Sequence, residues 1–441
     1  MRVSPFLLIL LVGAVPIRLA ALLFSAANVE LLAWRPPIAW SEQFGTSGIG
    51  IDNAVSAVAA GGSGVYTAGY LDQPVSGNAT SGSLFVRNYD LAGRTVWTHD
   101  QQSVYFDQFS GISAGNGGIY VVGRVNNSVA ILKFDMNGNE IWTRQIGSPN
   151  GNNNGVGIIS TSTAEFVIGT AYPPITNQTF TGIVMFVREY DPIGNAVWTS
   201  EFSNSTNTLL KGLYVSTSGA YILTDGFLVK YDLDGTRLWT IGGGGIGISG
   251  DGSGVYVTEQ TPFNRFTPPP QGLLTRFRSD GIVDWTAPFD VPDHSGVYDP
   301  EVSADSSGVY LSVRSTYGHA YIFRYDNLGN QLWSFEPPLS RMPGVLGVFS
   351  STITVGPEMV YWAGAIPGDS HAHSFAYLQG FGKDASLVFF GLEPPWSFIP
   401  MGVVIAFVAV NILMHIRRKR RLAKSGSERS DKILPSGIPK D

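Results

Sequence analysis

The chain has 441 residues, 53 of them glycine, with 12% aromatic residues, only 14% charged residues and no cysteine; this balance favours a turn-rich all-β protein over a helical bundle. The lack of cysteine excludes disulfides, thiolate catalysis and Cys-ligated metals. Residues 28–416 carry a net charge of −14 against −6 for the whole chain, and so acidic a body excludes nucleic acid as a partner, because that binding depends on Lys and Arg.

The N-terminus has the pattern of a secretory signal peptide. Arg2 precedes the apolar run Phe6–Val15, and a stretch of small residues follows, ending at Ala27. Residues 1–27 are therefore predicted to be a cleaved signal peptide. Arg18 interrupts the apolar stretch, so an uncleaved N-terminal anchor is the alternative.

A tryptophan-containing motif recurs between residues 38 and 391. Each copy has an aromatic residue, then Asp, then Gly three residues later and Trp four residues after that Gly; Arg278 replaces the Asp in the fifth copy. The Trp-to-Trp interval is 41 to 56 residues, the length of one four-stranded propeller blade. The motif residues are Asp90, Gly93, Trp97, Asp135, Gly138, Trp142, Asp191, Gly194, Trp198, Asp232, Gly235, Trp239, Gly281, Trp285, Asp326, Gly329 and Trp333.

The motif predicts strands A to D in each blade, with a tight turn between C and D. The Asp carboxylate accepts backbone N–H groups in this turn, Gly supplies its positive φ, and the aromatic side chains pack one blade on the next. One blade cannot bury both its faces, so the array must close into a ring. We therefore predict an all-β, seven-bladed β-propeller over residues 28–393, with Phe381-Gly382 and Phe389 as a worn seventh copy.

The segment Ala39–Gly45 reads as a strand D without its own strands A to C. We predict that it pairs with the strand near residues 370–382 and so ties the N-terminus to the last blade. The alternative is that Leu387–Gly391 forms this strand.

The copy Val229–Trp239, with the sequence VKYDLDGTRLW, resembles the units of the bacterial and archaeal seven-bladed β-propeller repeat family of cell-surface proteins. The resemblance covers roughly residues 38–391 and implies a propeller displayed at the cell surface. It implies no particular activity, because propellers host unrelated functions.

The connections between strands B and C are long in four blades, at about residues 71–82, 171–182, 259–272 and 365–374. Insertions on one face of a repeat protein often form its binding surface. The sequence predicts such a surface, with Tyr172, Phe263 and Phe266 as exposed aromatic contacts. The alternative is that the loops vary in length without a binding role.

Few polar residues are candidates for chemistry. His371 and His373, near Asp369, have the only spacing typical of a metal site, and a solvated polar loop explains them equally. No catalytic residue and no cofactor is predicted. The candidate N-glycosylation sites, all in B–C or D–A loops, are Asn78, Asn126, Asn177 and Asn204.

The C-terminal region has the pattern of a membrane anchor. Trp396–Ile416 contains no charged residue and is long enough to cross a bilayer. The basic block Arg417–Arg421 follows at once, as in segments whose basic end stays in the cytoplasm. We predict a transmembrane helix over residues 394–416, a cytoplasmic tail over 417–441 and a propeller outside the cell.

Together these features predict a non-enzymatic binding module, anchored in the cell membrane, that engages an extracellular protein or glycan. The alternative is an extracellular enzyme, either a propeller hydrolase or lyase or a quinoprotein-like oxidoreductase. The spacing from Asp to Trp is similar to the tryptophan-docking motif of quinoprotein dehydrogenases. That motif has one more residue between Asp and Gly, and the vicinal cysteine pair of many such enzymes is impossible here.

Overall fold

The structure, a computed structural model, describes residues 32–45, 53–75, 79–102, 108–115, 117–148, 150–176, 182–203, 208–261, 271–338, 348, 350–367 and 374–389. The predicted signal peptide, transmembrane helix and cytoplasmic tail lie outside these ranges. Within them, no helix has the length and apolar character needed to cross a membrane.

The described residues are almost entirely β-strand. The strands are β1 (Leu32–Arg35), β2 (Ile38–Phe44), β3 (Asn53–Gly61), β4 (Gly64–Val75), β5 (Ala79–Tyr89), β6 (Thr95–Gln102), β7 (Gln108–Gly115), β8 (Gly118–Val125), β9 (Ser128–Phe134), β10 (Glu140–Ile146), β11 (Asn154–Ser160), β12 (Glu165–Ala171), β13 (Val184–Tyr190), β14 (Ala196–Ser203), β15 (Leu210–Ser216), β16 (Gly219–Thr224), β17 (Phe227–Tyr231), β18 (Arg237–Gly242), β19 (Gly247–Gly250), β20 (Gly254–Gln260), β21 (Gly272–Arg278), β22 (Val283–Phe289), β23 (Val297–Asp305), β24 (Gly308–Ser315), β25 (Ala320–Tyr325), β26 (Gln331–Phe335), β27 (Ser350–Val355), β28 (Met359–Pro367), β29 (Ser374–Gly382) and β30 (Ser386–Phe389).

These strands form seven four-stranded antiparallel sheets, which confirms the predicted all-β, seven-bladed propeller. Blades 1 to 6 each take four consecutive strands, from β3–β6 to β23–β26, in the order A, B, C, D. Blade 7 combines β27, β28 and β29 with β2 as its strand D. β1 and β30 form a further, two-stranded sheet.

The A strands form the inner ring around the channel, each next to the A strand of the following blade. Serine hydroxyls on this ring accept backbone N–H groups from the next blade: Ser113 from Ser160 at 2.9 Å and Ser303 from Val355 at 3.0 Å. These bonds satisfy backbone donors on the inner strands of blades 3 and 7.

The predicted closure of the ring is confirmed. β2 pairs with β29 in antiparallel register, with Trp40 opposite Gly380. The side-chain amide of Asn53 in blade 1 donates to the carbonyl of Ser374 in blade 7 at 2.7 Å. The assignment of Phe389 to the Trp position of blade 7 was wrong, because β30 pairs with β1 and Trp40 occupies that position.

Each C–D turn docks on the Trp of the preceding blade. In blade 2, Asp135 accepts the N–H groups of Asn137 at 2.8 Å and Asn139 at 2.9 Å, which holds the turn closed. The indole of Trp97 in blade 1 donates to the carbonyl of Met136 in this turn at 3.0 Å. In blade 5, Arg278 replaces the Asp of the motif. The carboxylate of Asp280 accepts the N–H group of Ile282 at 3.1 Å instead, so this turn is also held closed.

The core lies between blades rather than inside them. The buried apolar residues form seven clusters, and every cluster takes its residues from two consecutive blades, including the pair of blade 7 and blade 1. Each blade therefore buries its apolar faces only against its two neighbours.

Candidate functional site at the channel mouth

Most residues that the sequence predicts as sites lie outside the described residues; these are Asn78, Asn177, Asn204, Phe263, Phe266, Asp369, His371 and His373. Asn126 is exposed and lies with Asn127 at positive φ in a two-residue turn between strands B and C of blade 2. Tyr172 is 48% exposed. Among the described residues, no group of three or more His, Asp or Glu side chains could hold a metal ion.

The long connection of blade 1 is not a loop for most of its length. β4 and β5 continue as a paired hairpin as far as Val75 opposite Ala79, so the prediction of a loop over residues 71–82 was wrong there. The small polar residues at the start of β5 pair with β4 instead, and this pairing satisfies their backbone N–H and C=O groups.

One residue of the inner strands is large and charged at a position where the other inner strands have a small residue. Glu301 lies on β23, opposite Ser312, two residues before the serine that bridges to blade 7. The other six blades have a small residue at the matching register position. These residues are Ala57, Gly111, Gly157, Gly212, Gly247 and Thr352. Neighbouring A strands approach closely at this level, as a Cβ placed on Gly111 would lie 3.1 Å from the Cα of Gly157, so a glutamate here has no packing reason.

Asp299 stands beside Glu301 in a strained and tightly held conformation. Its φ of 42° is in the left-handed region, which a residue with a side chain occupies at a cost. Its N–H donates to the side chain of Gln260 in blade 5 at 3.1 Å. Its carboxylate pairs with the guanidinium of Arg314, which in turn lies 5.0 Å from the ring centre of Tyr298.

Lys211 adds a positive charge from blade 4. It is the bulged residue of β15, unpaired in register between Leu210 and Gly212. Its charge acts on Glu301 across the short strand A of blade 5, which is bordered by the run Gly242–Gly245. We call Lys211, Gln260, Asp299, Glu301, Arg314 and Tyr298 the mouth cluster; it lies toward the face of the propeller that carries the D–A and B–C connections.

Burial controls the electrostatics of the mouth cluster. Desolvation, together with the negative charge of Asp299, raises the pKa of Glu301 to about 7, although the positive charges of Lys211 and Arg314 oppose this shift. The pKa of Glu259, the neighbour of Gln260, is also raised by burial. A carboxyl group that titrates near neutral pH can bind a hydroxyl or amide in either protonation state, or exchange a proton with a bound molecule.

The sequence contains a signal for Glu301 that lies outside the tryptophan motif. Aligning the seven inner strands by the buried Tyr or Phe opposite each of them shows one Glu among Gly, Ala and Thr. No comparable sequence pattern marks Arg314 or Lys211. The charge of Lys211 acts on Glu301 because blades 4, 5 and 6 are neighbours in the ring, and that of Arg314 because it lies on the adjacent strand β24 of the same blade.

The sequence matches no family model and no curated protein. Among solved structures, the chain is similar to the WD40 domain of Pan2 from Neurospora crassa, with 12% identity over 76% of this chain and 90% of that one, and a TM-score of 0.43. It is also similar to a protein of unknown function from Bacteroides caccae, with 10% identity over 61% of this chain and 94% of that one, and a TM-score of 0.37. Likenesses this distant concern the fold alone.

Proposed function

We propose that this chain is a membrane-anchored, extracellular binding module whose propeller holds a polar ligand at the mouth cluster. It belongs, on this proposal, with the cell-surface propeller repeat proteins that its motif resembles. The observation that supports it most is Glu301, the single large charged side chain at a position where the other six inner strands carry a small residue.

The contacts around Asp299 support binding rather than a structural role. A strained residue persists only where its surroundings hold it, and such residues concentrate at functional sites. Here Gln260 and Arg314 hold Asp299, and Arg314 also lies over the exposed ring of Tyr298. The cluster therefore offers charges of both signs and an aromatic face in a fixed arrangement, as suits a peptide or a glycan.

The binding test compares variants of the full-length chain for retention of purified cell-envelope material. Lys211→Ala and Tyr298→Ala should each reduce retention roughly tenfold, about the effect of one lost polar or stacking contact. Leu328→Ala is the matched control, because Leu328 is 78% exposed on a C–D turn, on the opposite face. Equal retention by all four proteins would contradict the proposed site.

The membrane topology has a separate test, because the chain contains no cysteine. Single cysteines are introduced as Ser306→Cys, in the exposed A–B turn of blade 6, and Ser427→Cys, in the basic tail. A membrane-impermeant maleimide added to intact cells should label the first protein and leave the second unlabelled until the cells are permeabilised. Labelling of Ser427→Cys on intact cells would contradict the anchor.

An extracellular hydrolase or lyase is the second candidate, and Glu301 favours it. An acid or base catalyst works best with a pKa near the working pH, and the pKa of Glu301 is about 7. On this candidate, envelope material incubated with the protein is recovered with new chain ends, and Glu301→Gln abolishes their formation. Material recovered unchanged by both proteins supports the binding module.

A further inference from the structure

The seams between blades are normally closed near the loop face by a large apolar side chain from strand D. This side chain stands two or four residues after the Trp and belongs to the apolar cluster shared with the next blade. The residues that fill the seams in this way are Phe44, Ile146, Phe202, Ile241, Phe289 and Phe335.

Blade 1 departs from this rule. Its two corresponding residues are His99 and Gln101, and neither belongs to the cluster between blades 1 and 2. A cleft of about 350 Å³ lies in their place, a volume within the range of small-molecule sites. The ring of His99 packs 4.8 Å from that of Phe134, so the histidine lies against the wall instead of filling the gap.

The lining of this cleft combines a polar rim with an apolar floor. His99, Asp100, Gln101, Glu140, Thr143 and Gln145 form the rim. Val125, Ala130 and Leu132 form the floor, and all three are buried. The hydroxyl of Thr143 donates to Glu140 at 2.6 Å, which fixes this carboxylate as an acceptor at the rim.

The chemistry of the lining fits an uncharged ligand that carries hydroxyl groups. None of its nine residues is Lys or Arg, so an anion finds no countercharge there. Carboxylates accept hydrogen bonds, whereas amides both donate and accept, and this mixture matches hydroxyl groups, which do both. The apolar floor suits a C–H surface. A ring with hydroxyls on its edge and C–H groups on its face is a sugar.

We propose that the cleft between blades 1 and 2 binds a neutral carbohydrate residue, with Gln101, Glu140 and Gln145 bonding its hydroxyl groups over the floor of Val125, Ala130 and Leu132. This site is independent of the mouth cluster, which takes its residues from blades 4, 5 and 6. The cleft exists because Gln101 stands where blade 2 has the buried Ile146.

The test uses the full-length chain in a detergent without a sugar headgroup, with free glucose, galactose, mannose and N-acetylglucosamine as probes. Saturation-transfer NMR should show transfer to at least one of them at millimolar concentration. Gln101→Ile, which copies the seam of blade 2, should abolish the transfer and leave the melting temperature equal or higher. Thr143→Ala should weaken binding several-fold, whereas Thr240→Ala, at the same motif position in blade 4, should leave it unchanged.

Two results overturn the proposal: no transfer to any of the four sugars, or transfer that persists in Gln101→Ile. Transfer that persists there but disappears in Lys211→Ala places the sugar at the mouth cluster instead, so the two sites are distinguishable. If Gln101→Ile lowers the melting temperature, Gln145→Ala replaces it, with the same loss of transfer expected.

Discussion

At the level of single residues, each C–D turn requires its glycine for two separate reasons, as Gly138 shows. Gly138 has a φ of 86°, which disfavours any side chain. A Cβ on the same residue would also lie 2.6 Å from the indole of Trp97 in the preceding blade. The turn conformation is a local requirement, whereas the close approach of the indole is imposed by the neighbouring blade.

Gly138→Ala should therefore destabilise the propeller more than an alanine at a free turn. We expect a loss of about 3 kcal/mol, of which backbone strain supplies about 1–2 kcal/mol. Gly117→Ala in the same blade is the control, since Gly117 has a φ of 70° and an added Cβ would lie within 4 Å of no described residue other than its chain neighbours. Thermal unfolding of the two variants measures the difference, and equal losses would contradict a role for Trp97.

The raised pKa of Glu301 predicts that the free energy of unfolding of the propeller depends on pH. Its pKa is about 7 in the folded chain against 4.5 for an unperturbed glutamate, so the folded state binds the proton more tightly. The stabilisation is complete below about pH 4.5 and is lost as the pH rises through 7, with a total on the order of 3 kcal/mol.

The measurement is the melting temperature of the wild type and of Glu301→Gln at pH 4.5 and at pH 8. Glutamine mimics the protonated form, so the two proteins should melt together at pH 4.5 and the variant should be the more stable at pH 8. A difference that is the same at both pH values would show that Glu301 keeps an ordinary pKa.

At the scale of elements, each blade is held to the next by strand D. Trp198, for example, packs against Tyr231 with ring centres 6.3 Å apart and donates its indole N–H to the carbonyl of Leu233 at 3.0 Å. The seam between blades 2 and 3 differs. Lys133 donates to the carbonyl of Pro192 at 2.9 Å, and the indole N–H of Trp142 has no hydrogen-bond partner among the described residues.

Trp198→Phe should accordingly cost about 1 kcal/mol more than Trp142→Phe. Both changes remove the same apolar area, but only the first removes a hydrogen bond, and an intramolecular hydrogen bond contributes about 0.5–1.5 kcal/mol. Chemical unfolding of the two variants provides the comparison. If Trp142→Phe proved the more damaging, the indole of Trp142 would have to make a bond that the structure does not show.

At the scale of the whole molecule, the ring is closed by residues far apart in sequence. The indole of Trp40 donates to Leu91 in blade 1 at 3.0 Å, and its ring lies 6.0 Å from that of Tyr361 in blade 7. An N-terminal strand thus bridges the first and the last blade. Because the seven interblade clusters depend on one another, this seam should matter as much as one in the middle of the chain.

Trp40→Ala should destabilise the propeller as much as Trp285→Ala, by roughly 3–5 kcal/mol each. Trp285 makes the equivalent bond, from its indole to Asn327 at 3.1 Å, and serves as the internal reference. The comparison of melting temperatures decides the point. A loss for Trp40→Ala well below that of the reference would mean that the propeller tolerates an open ring.

The blades could be predicted from the sequence alone. Local turn chemistry at Asp135 and Gly138, and alternation around the tryptophans, repeat often enough to fix the fold class, the strand order and even the pairing of Trp40 with the last blade. The positions of the two candidate sites could not be predicted in this way, because they depend on contacts in the folded ring. Glu301, Lys211 and Arg314 belong to different blades or strands, and the cleft at Gln101 lies where the seam between blades 1 and 2 lacks a large apolar side chain. Contacts between blades depend on geometry across the ring, which no local pattern records.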